Sequence, residues 1–117
     1  MIPCSNRIQE ILEWVNGDCI ADIGCDHAYV VCNAILNHQS KKGYACDVAQ
    51  GPLDNAKKTI EDNELSDFVS CRLLDGIQGL NEDVDQIIIC GMGAKFDHRY
   101  SFKREFTFWF EILIIKP

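Results

Sequence analysis

Ile20-Ala21-Asp22-Ile23-Gly24-Cys25-Asp26-His27-Ala28-Tyr29 is the stretch that decides the fold of this 117-residue chain. A short apolar run breaks on Gly24, and an acidic residue arrives two positions later. A dinucleotide-binding unit carries G-x-G-x-x-G at this place, so that bare backbone and a helix N-terminus can approach a pyrophosphate. Only the first of those glycines is present. Asp26 stands where the second would be, and a carboxylate ~4 Å from a phosphate charge costs on the order of 4 kcal/mol at an effective dielectric near 20. The stretch therefore disfavours NAD. It favours a nucleoside ligand with a positive charge in place of phosphates, and S-adenosyl-L-methionine, a sulfonium, would be attracted by Asp22 and Asp26.

Outward from this point, strand and helix alternate. Ile8, Ile11, Leu12 and Val15 recur with helical spacing, with Ser5 as N-cap and Asn16-Gly17 as stop. Cys19 to Ile23 reads as a buried strand, Ala28 to about Asn37 as a helix, and Tyr44 to Asp47 as a second strand. Gly51-Pro52 opens a helix whose apolar stripe is Leu53, Ala56 and Ile60 and which ends near Asn63. Phe68 to Leu74 and Gln86 to Cys90 are the third and fourth strands. This alternation predicts an α/β fold with a mainly parallel sheet and right-handed crossovers. Phe96 to Phe110 mixes aromatic and basic residues with no helical stripe, and Ile112 to Ile115 reads as a fifth strand.

Bulk properties narrow the function. An apolar content of 47% supports one small core. A net charge of −7 argues against this chain alone gripping a nucleic-acid backbone, because Lys and Arg supply most of that affinity. Lys41-Lys42, Lys57-Lys58 and the cluster Lys95, Arg99, Lys103 and Arg104 read first as solvated surface. The seven cysteines form no C-x-x-C pair. Zinc and a disulfide framework are disfavoured, and the cysteines read mostly as buried small residues in a reducing cytoplasm. No signal peptide is read at the start, and the run Phe106 to Ile115 falls short of the ~20 residues of a membrane span.

In an open parallel sheet, ligands sit beyond the carboxyl ends of the strands. Four clusters fall there: Gly24, Cys25, Asp26 and His27 after the first strand, Asp47 after the second, Asp75-Gly76 after the third, and Gly91-Met92-Gly93 after the fourth. Asp47 lies 23 residues beyond Gly24, near the spacing at which a carboxylate accepts from both ribose hydroxyls. Capping the next turn is its plainer role. Asp75 would accept from an adenine amino group, or only form an Asp-Gly turn. Asp22, inside an apolar strand, needs donors or a cationic ligand. His27 reads as a base or as a packing residue. Met92 lines a base pocket, or Gly-Met-Gly is a sharp turn.

From Ser5 to Gly93 the chain resembles the bacterial tRNA (adenine-22-N1)-methyltransferase family. The resemblance rests on Ser5-Asn6-Arg7-Ile8, Ala21 to Tyr29, Gly51-Pro52 with Ala56-Lys57-Lys58, Leu74-Asp75-Gly76 and Ile89 to Gly93. It implies a Rossmann-like class I methyltransferase fold in residues 1–93, S-adenosyl-L-methionine as methyl donor, and N1 of an adenine in tRNA as acceptor, in the cytoplasm. By motif position, Asp22, Gly24, Cys25, Asp26, Asp47, Val48, Asp75, Gly76 and Gly91 would hold the cofactor. Asp26 and His27 would be catalytic, and Tyr29, Met92 and Gly93 would meet the substrate base.

The resemblance fades after Gly93. The family continues there with a further glycine, a helix, more strands and a helical extension, whereas residues 94–117 form a divergent tail with a strand at 112–115. The expectation is a truncated or sequence-altered copy. It is either active or a remnant that binds cofactor or a partner chain without turnover. With its later strands missing, Ile112 to Ile115 would be an open apolar edge and a route to a homo-oligomer.

Overall fold

A computed structural model describes residues 2–25, 27–74 and 83–90, and the strands at 105–109 and 112–116. The elements are α1 (Asn6–Leu12), β1 (Cys19–Ile23), α2 (Tyr29–Leu36), β2 (Lys42–Asp47), α3 (Gln50–Asp62), β3 (Val69–Leu73), β4 (Gln86–Cys90), β5 (Glu105–Trp109) and β6 (Ile112–Lys116). They build one six-stranded sheet in the order β3-β2-β1-β4-β6-β5. The strands β3, β2, β1 and β4 are mutually parallel, as the alternation predicts.

Ser5 caps α1, its hydroxyl accepting from the Ile8 amide at 3.2 Å. The helix ends at Leu12, earlier than the apolar spacing predicts, and Val15 reaches the core through a tightened turn. Two side chains from elsewhere take the carbonyls that would have extended it. Gln39 donates to the Leu12 carbonyl at 2.8 Å, and the fully buried Gln86 donates to that of Trp14 at 2.8 Å while accepting from the Asn16 amide at 2.9 Å. A buried amide satisfied on both of its ends fixes the α1–β1 connection to the first residue of β4.

All three helices lie on one face of the sheet. Ile11, Leu12, Val31, Ala34, Leu53, Ala56 and Ile60 pack there with Ile20, Ala45, Val69 and Ile88 of the strands. Alternate strand residues, Ala21, Ile23, Tyr44, Cys46, Ile87 and Ile89, form a second buried cluster on the opposite face. Lys42 and Arg72 both lie over the Tyr44 ring, at 5.4 and 5.0 Å from its centre. Among the described residues, no helix is long and apolar enough to cross a membrane.

The last two strands correct the expectation for the tail. A strand does form at Ile112–Lys116, but it runs antiparallel to β4, and its other side is covered by β5, also antiparallel. Ile112 to Ile115 is therefore not an open edge, and the proposed route to a homo-oligomer through it is lost. The cause is local. Trp109 pairs with Ile112 across only two intervening residues, a hairpin spacing that forces antiparallel pairing. A helical crossover would be needed for a parallel strand.

Gly43, inside β2, lies beneath α2. A Cβ there would collide with Val31 Cγ2, and a β-branched side chain held at χ1 in a helix cannot swing away. Gly43→Ala should cost about 1–3 kcal/mol by overpacking, read as a lower urea midpoint at unchanged m-value.

Candidate functional site

Because β1 to β4 run the same way, their carboxyl ends share one edge of the sheet, and the predicted clusters arise from β1 and β2 side by side there. Gly24 follows β1 with φ +71°, a left-handed conformation that glycine adopts without strain. Its amide and that of Cys25 both donate to the Cys46 carbonyl of β2, at 2.8 and 3.1 Å. This ties the turn after β1 to the strand that ends in Asp47. Among the described residues, nothing lies within 4 Å of where a Gly24 Cβ would be, so its backbone is open on that side.

Asp47 is the last residue of β2 and is half-buried. Its Oδ1 accepts from the Ala49 amide at 3.1 Å, the turn-capping role weighed from sequence. Its main-chain carbonyl accepts from the Leu74 amide at 2.9 Å and brings the end of β3 alongside. One capped oxygen leaves the carboxylate with further lone pairs for hydroxyl donors, so the two roles are compatible. Val48 and Leu73 flank it, 62% and 59% exposed. Together they offer an apolar lip suited to one face of a flat base. Leu73 was not singled out from the sequence, although its place at the end of the third strand was the available signal.

Asp22 is 2% exposed, and its carboxylate accepts from the Val31 amide in the first turn of α2. The N-cap residue itself, Ala28, has φ 61° and no capping side chain, so β1 supplies the cap from the sheet. Burial raises the Asp22 carboxyl from its ordinary 3.8 to about 7; the Val31 bond opposes the rise and the Asp47 charge adds to it. Burial, followed by the Asp22 charge, also pushes the Cys25 thiol well above its usual range and that of Cys32 up to about 12. Neither thiol is a nucleophile at neutral pH. Among the described residues, Cys4, Cys19, Cys25, Cys32, Cys46 and Cys71 form no disulfide with one another.

His27 is exposed and stacks on Tyr29, ring centres 5.1 Å apart and planes 14° from parallel. Tyr29 is half-buried and opens α2. Asp26, Asp75, Gly76, Gly91, Met92 and Gly93 lie outside the described residues. An open groove of about 570 Å³ runs between α3 and β3 past Lys57, Glu61 and Cys71, but Asp22, Gly24 and Asp47 are not part of it.

Exposed glycine backbone thus stands just beyond one strand, a carboxylate at the end of its parallel neighbour, and a buried acid within the first strand. The family model described as "Methyltransferase domain" matches residues 4–102. The chain belongs to the methyltransferase-domain family. Among curated proteins of that kind, the Bacillus subtilis tRNA (adenine(22)-N(1))-methyltransferase is 38% identical over 95 residues, covering 80% of this chain and 40% of its own length. The crystal structure of B. subtilis TrmK, an M1A22 tRNA methyltransferase, superposes with a TM-score of 0.73 at 37% identity, covering 80% of this chain and 41% of that one. M. capricolum TrmK in complex with S-adenosyl-homocysteine matches at a TM-score of 0.67 and 22% identity, over 99% of this chain and 69% of that one, a likeness of fold. The chain thus spans less than half the length of the B. subtilis methyltransferase it resembles.

The raised Asp22 pKa has a sign in stability. Between pH 4 and 7 the folded chain keeps a proton that the unfolded chain releases, so stability is lost as pH climbs through that window and is level above it. Asp22→Asn keeps the acceptor for Val31 without the charge. It should flatten that decline and leave the ligand-free variant more stable than the parent at pH 8, by about 1–4 kcal/mol, in urea titrations at pH 5 and pH 8.

Proposed function

We propose that this chain binds S-adenosyl-L-methionine at the carboxyl ends of β1 and β2 and transfers its methyl group to N1 of an adenine in tRNA, the position named for its B. subtilis relative. The observation that carries the reading is the open Gly24 backbone beside Asp47, on a chain of the methyltransferase-domain family. Asp47 accepts from the ribose hydroxyls, Val48 and Leu73 take one face of the adenine, and Asp22 lies beneath the charged end of the ligand. Asp75, Gly76 and Gly91 complete the cofactor site, and Tyr29, Met92 and Gly93 meet the acceptor base. As a modifier of tRNA the protein would work in the cytoplasm.

The reaction needs little from the protein beyond alignment. The N1 lone pair of adenine attacks the methyl carbon, the carbon–sulfur bond breaks, and its electron pair returns to sulfur. Positive charge passes from sulfonium to base. In-line positioning and a carboxylate beside the developing cation accelerate such a step. Asp26 is placed for that second role by its position in the motif, with His27 next to it. Contact with tRNA must come from local basic groups, because the net charge is −7.

Calorimetric titration of S-adenosyl-L-methionine, followed by methyl transfer to unmodified tRNA with the product base mapped, tests the reading. Binding with N1-methyladenine formed supports it. Binding without turnover reduces the chain to a cofactor-binding module. Asp47→Ala should weaken cofactor binding about tenfold to a hundredfold, the loss of one or two hydrogen bonds to a charged acceptor. Asp26→Asn should leave binding largely intact and cut methyl transfer by ~100-fold or more. An unchanged rate removes Asp26 from the mechanism.

A further inference from the structure

Asp22 is an acid placed where an ionised carboxylate is poorly tolerated. It is 2% exposed and faces the apolar cluster that carries α1, α2 and α3. Its register partners are Ala45 in β2 and Ile88 in β4, neither of which titrates. From β2, Asp47 adds negative charge. From the turn after β1 and from α2 come Cys25 and Cys32, whose thiols burial keeps protonated. Among the described residues, the Val31 amide stabilises the carboxylate. Asp22 precedes Gly24 by two residues near the end of β1, and Asp47 ends the neighbouring β2, so both acids belong to the sheet edge at which the Gly24 backbone is open. A cation arriving there reverses the balance, since an opposite charge within about 4–6 Å lowers a carboxyl's pKa by about 1–3.

We propose that capture of a cationic ligand at this site expels one proton from Asp22, so that the ligand is held more tightly as the pH rises. The inference rests on the S-adenosylmethionine reading of the site and adds to it a linkage between cofactor charge and a buried acid. The proton passes to solvent, no bond to carbon or sulfur changes, and the ion pair replaces a neutral carboxylic acid. The ligand-free chain is in this way spared a bare buried charge. A burial that raises the carboxyl to about 7 places the transition within the range where binding can be measured.

Isothermal titration with S-adenosyl-L-methionine, from pH 5 to 7 and in buffers of different ionisation enthalpy, reads both consequences. Affinity should rise about tenfold or more over this range, and close to one proton should be released per ligand near pH 6. S-adenosyl-homocysteine, whose thioether is neutral, should show a clearly smaller dependence. His27 sits in the same turn, so the control is His27→Gln, which should retain the effect, whereas Asp22→Asn should abolish it. Carboxyl-¹³C NMR of the unmutated chain follows Asp22 directly, and its midpoint should fall when S-adenosyl-L-methionine is added. Binding that is indifferent to pH with no proton released, or a midpoint that does not move, overturns the linkage and leaves the cofactor reading standing. Failure to bind S-adenosyl-L-methionine at any pH overturns the cofactor reading itself, and the linkage with it.

Discussion

A single contact between sheet and helix organises this molecule: the Asp22 carboxylate of β1 accepting from the Val31 amide in the first turn of α2. A helix N-terminus has unpartnered amides and a partial positive charge, and Ala28 brings no side chain to satisfy them. The cap therefore comes from below. This seats α2 directly over β1 and β2, which is why Gly43 must be bare beneath Val31. The helix also follows closely on Gly24, whose backbone is exposed. The same side chain that anchors the helix is thus the buried acid whose carboxyl is raised to about 7.

Much of this was legible in the sequence because the N-terminal two thirds is locally consistent. β1 and β4 fall where Cys19 to Ile23 and Gln86 to Cys90 place them, and α3 follows the stripe of Leu53, Ala56 and Ile60. Three features were hidden for identifiable reasons. The early end of α1 depends on Gln39 and Gln86, which are distant in sequence from the carbonyls they take. The Val31 contact involves a main-chain group, and main-chain groups leave no signature in a residue pattern; only the isolated Gly43 hinted at a close approach. Finally, Glu105 to Trp109 alternates Phe106 and Phe108 at a strand's period of two, but it was read against a helical stripe and its pairing with β6 was missed.

The candidate site divides the same way. Gly24, Asp22 and Asp47 come together at one sheet edge as the motif positions imply, with Val48 beside them. His27 lies exposed on Tyr29 rather than within a buried constellation, which suits a surface meeting a large substrate better than a closed pocket. The four parallel strands stand in the order β3-β2-β1-β4, and the antiparallel β6 and β5 extend the sheet beyond β4.

The place of β4 bears on how the chain comes to be folded. From β1 to β3, each strand is joined to its neighbour through a short helical excursion, so these contacts close small loops. β4 instead returns to pair with β1, Gln86 opposite Ile20, after the whole of α2, β2, α3 and β3 has intervened. Closing so long a loop is entropically the most demanding step and is rewarded only when the partner strand is already in position. On this ground a βαβαβ nucleus is expected to gather first, with the arrival of β4, Gln86 gripping the turn after α1, as the later step.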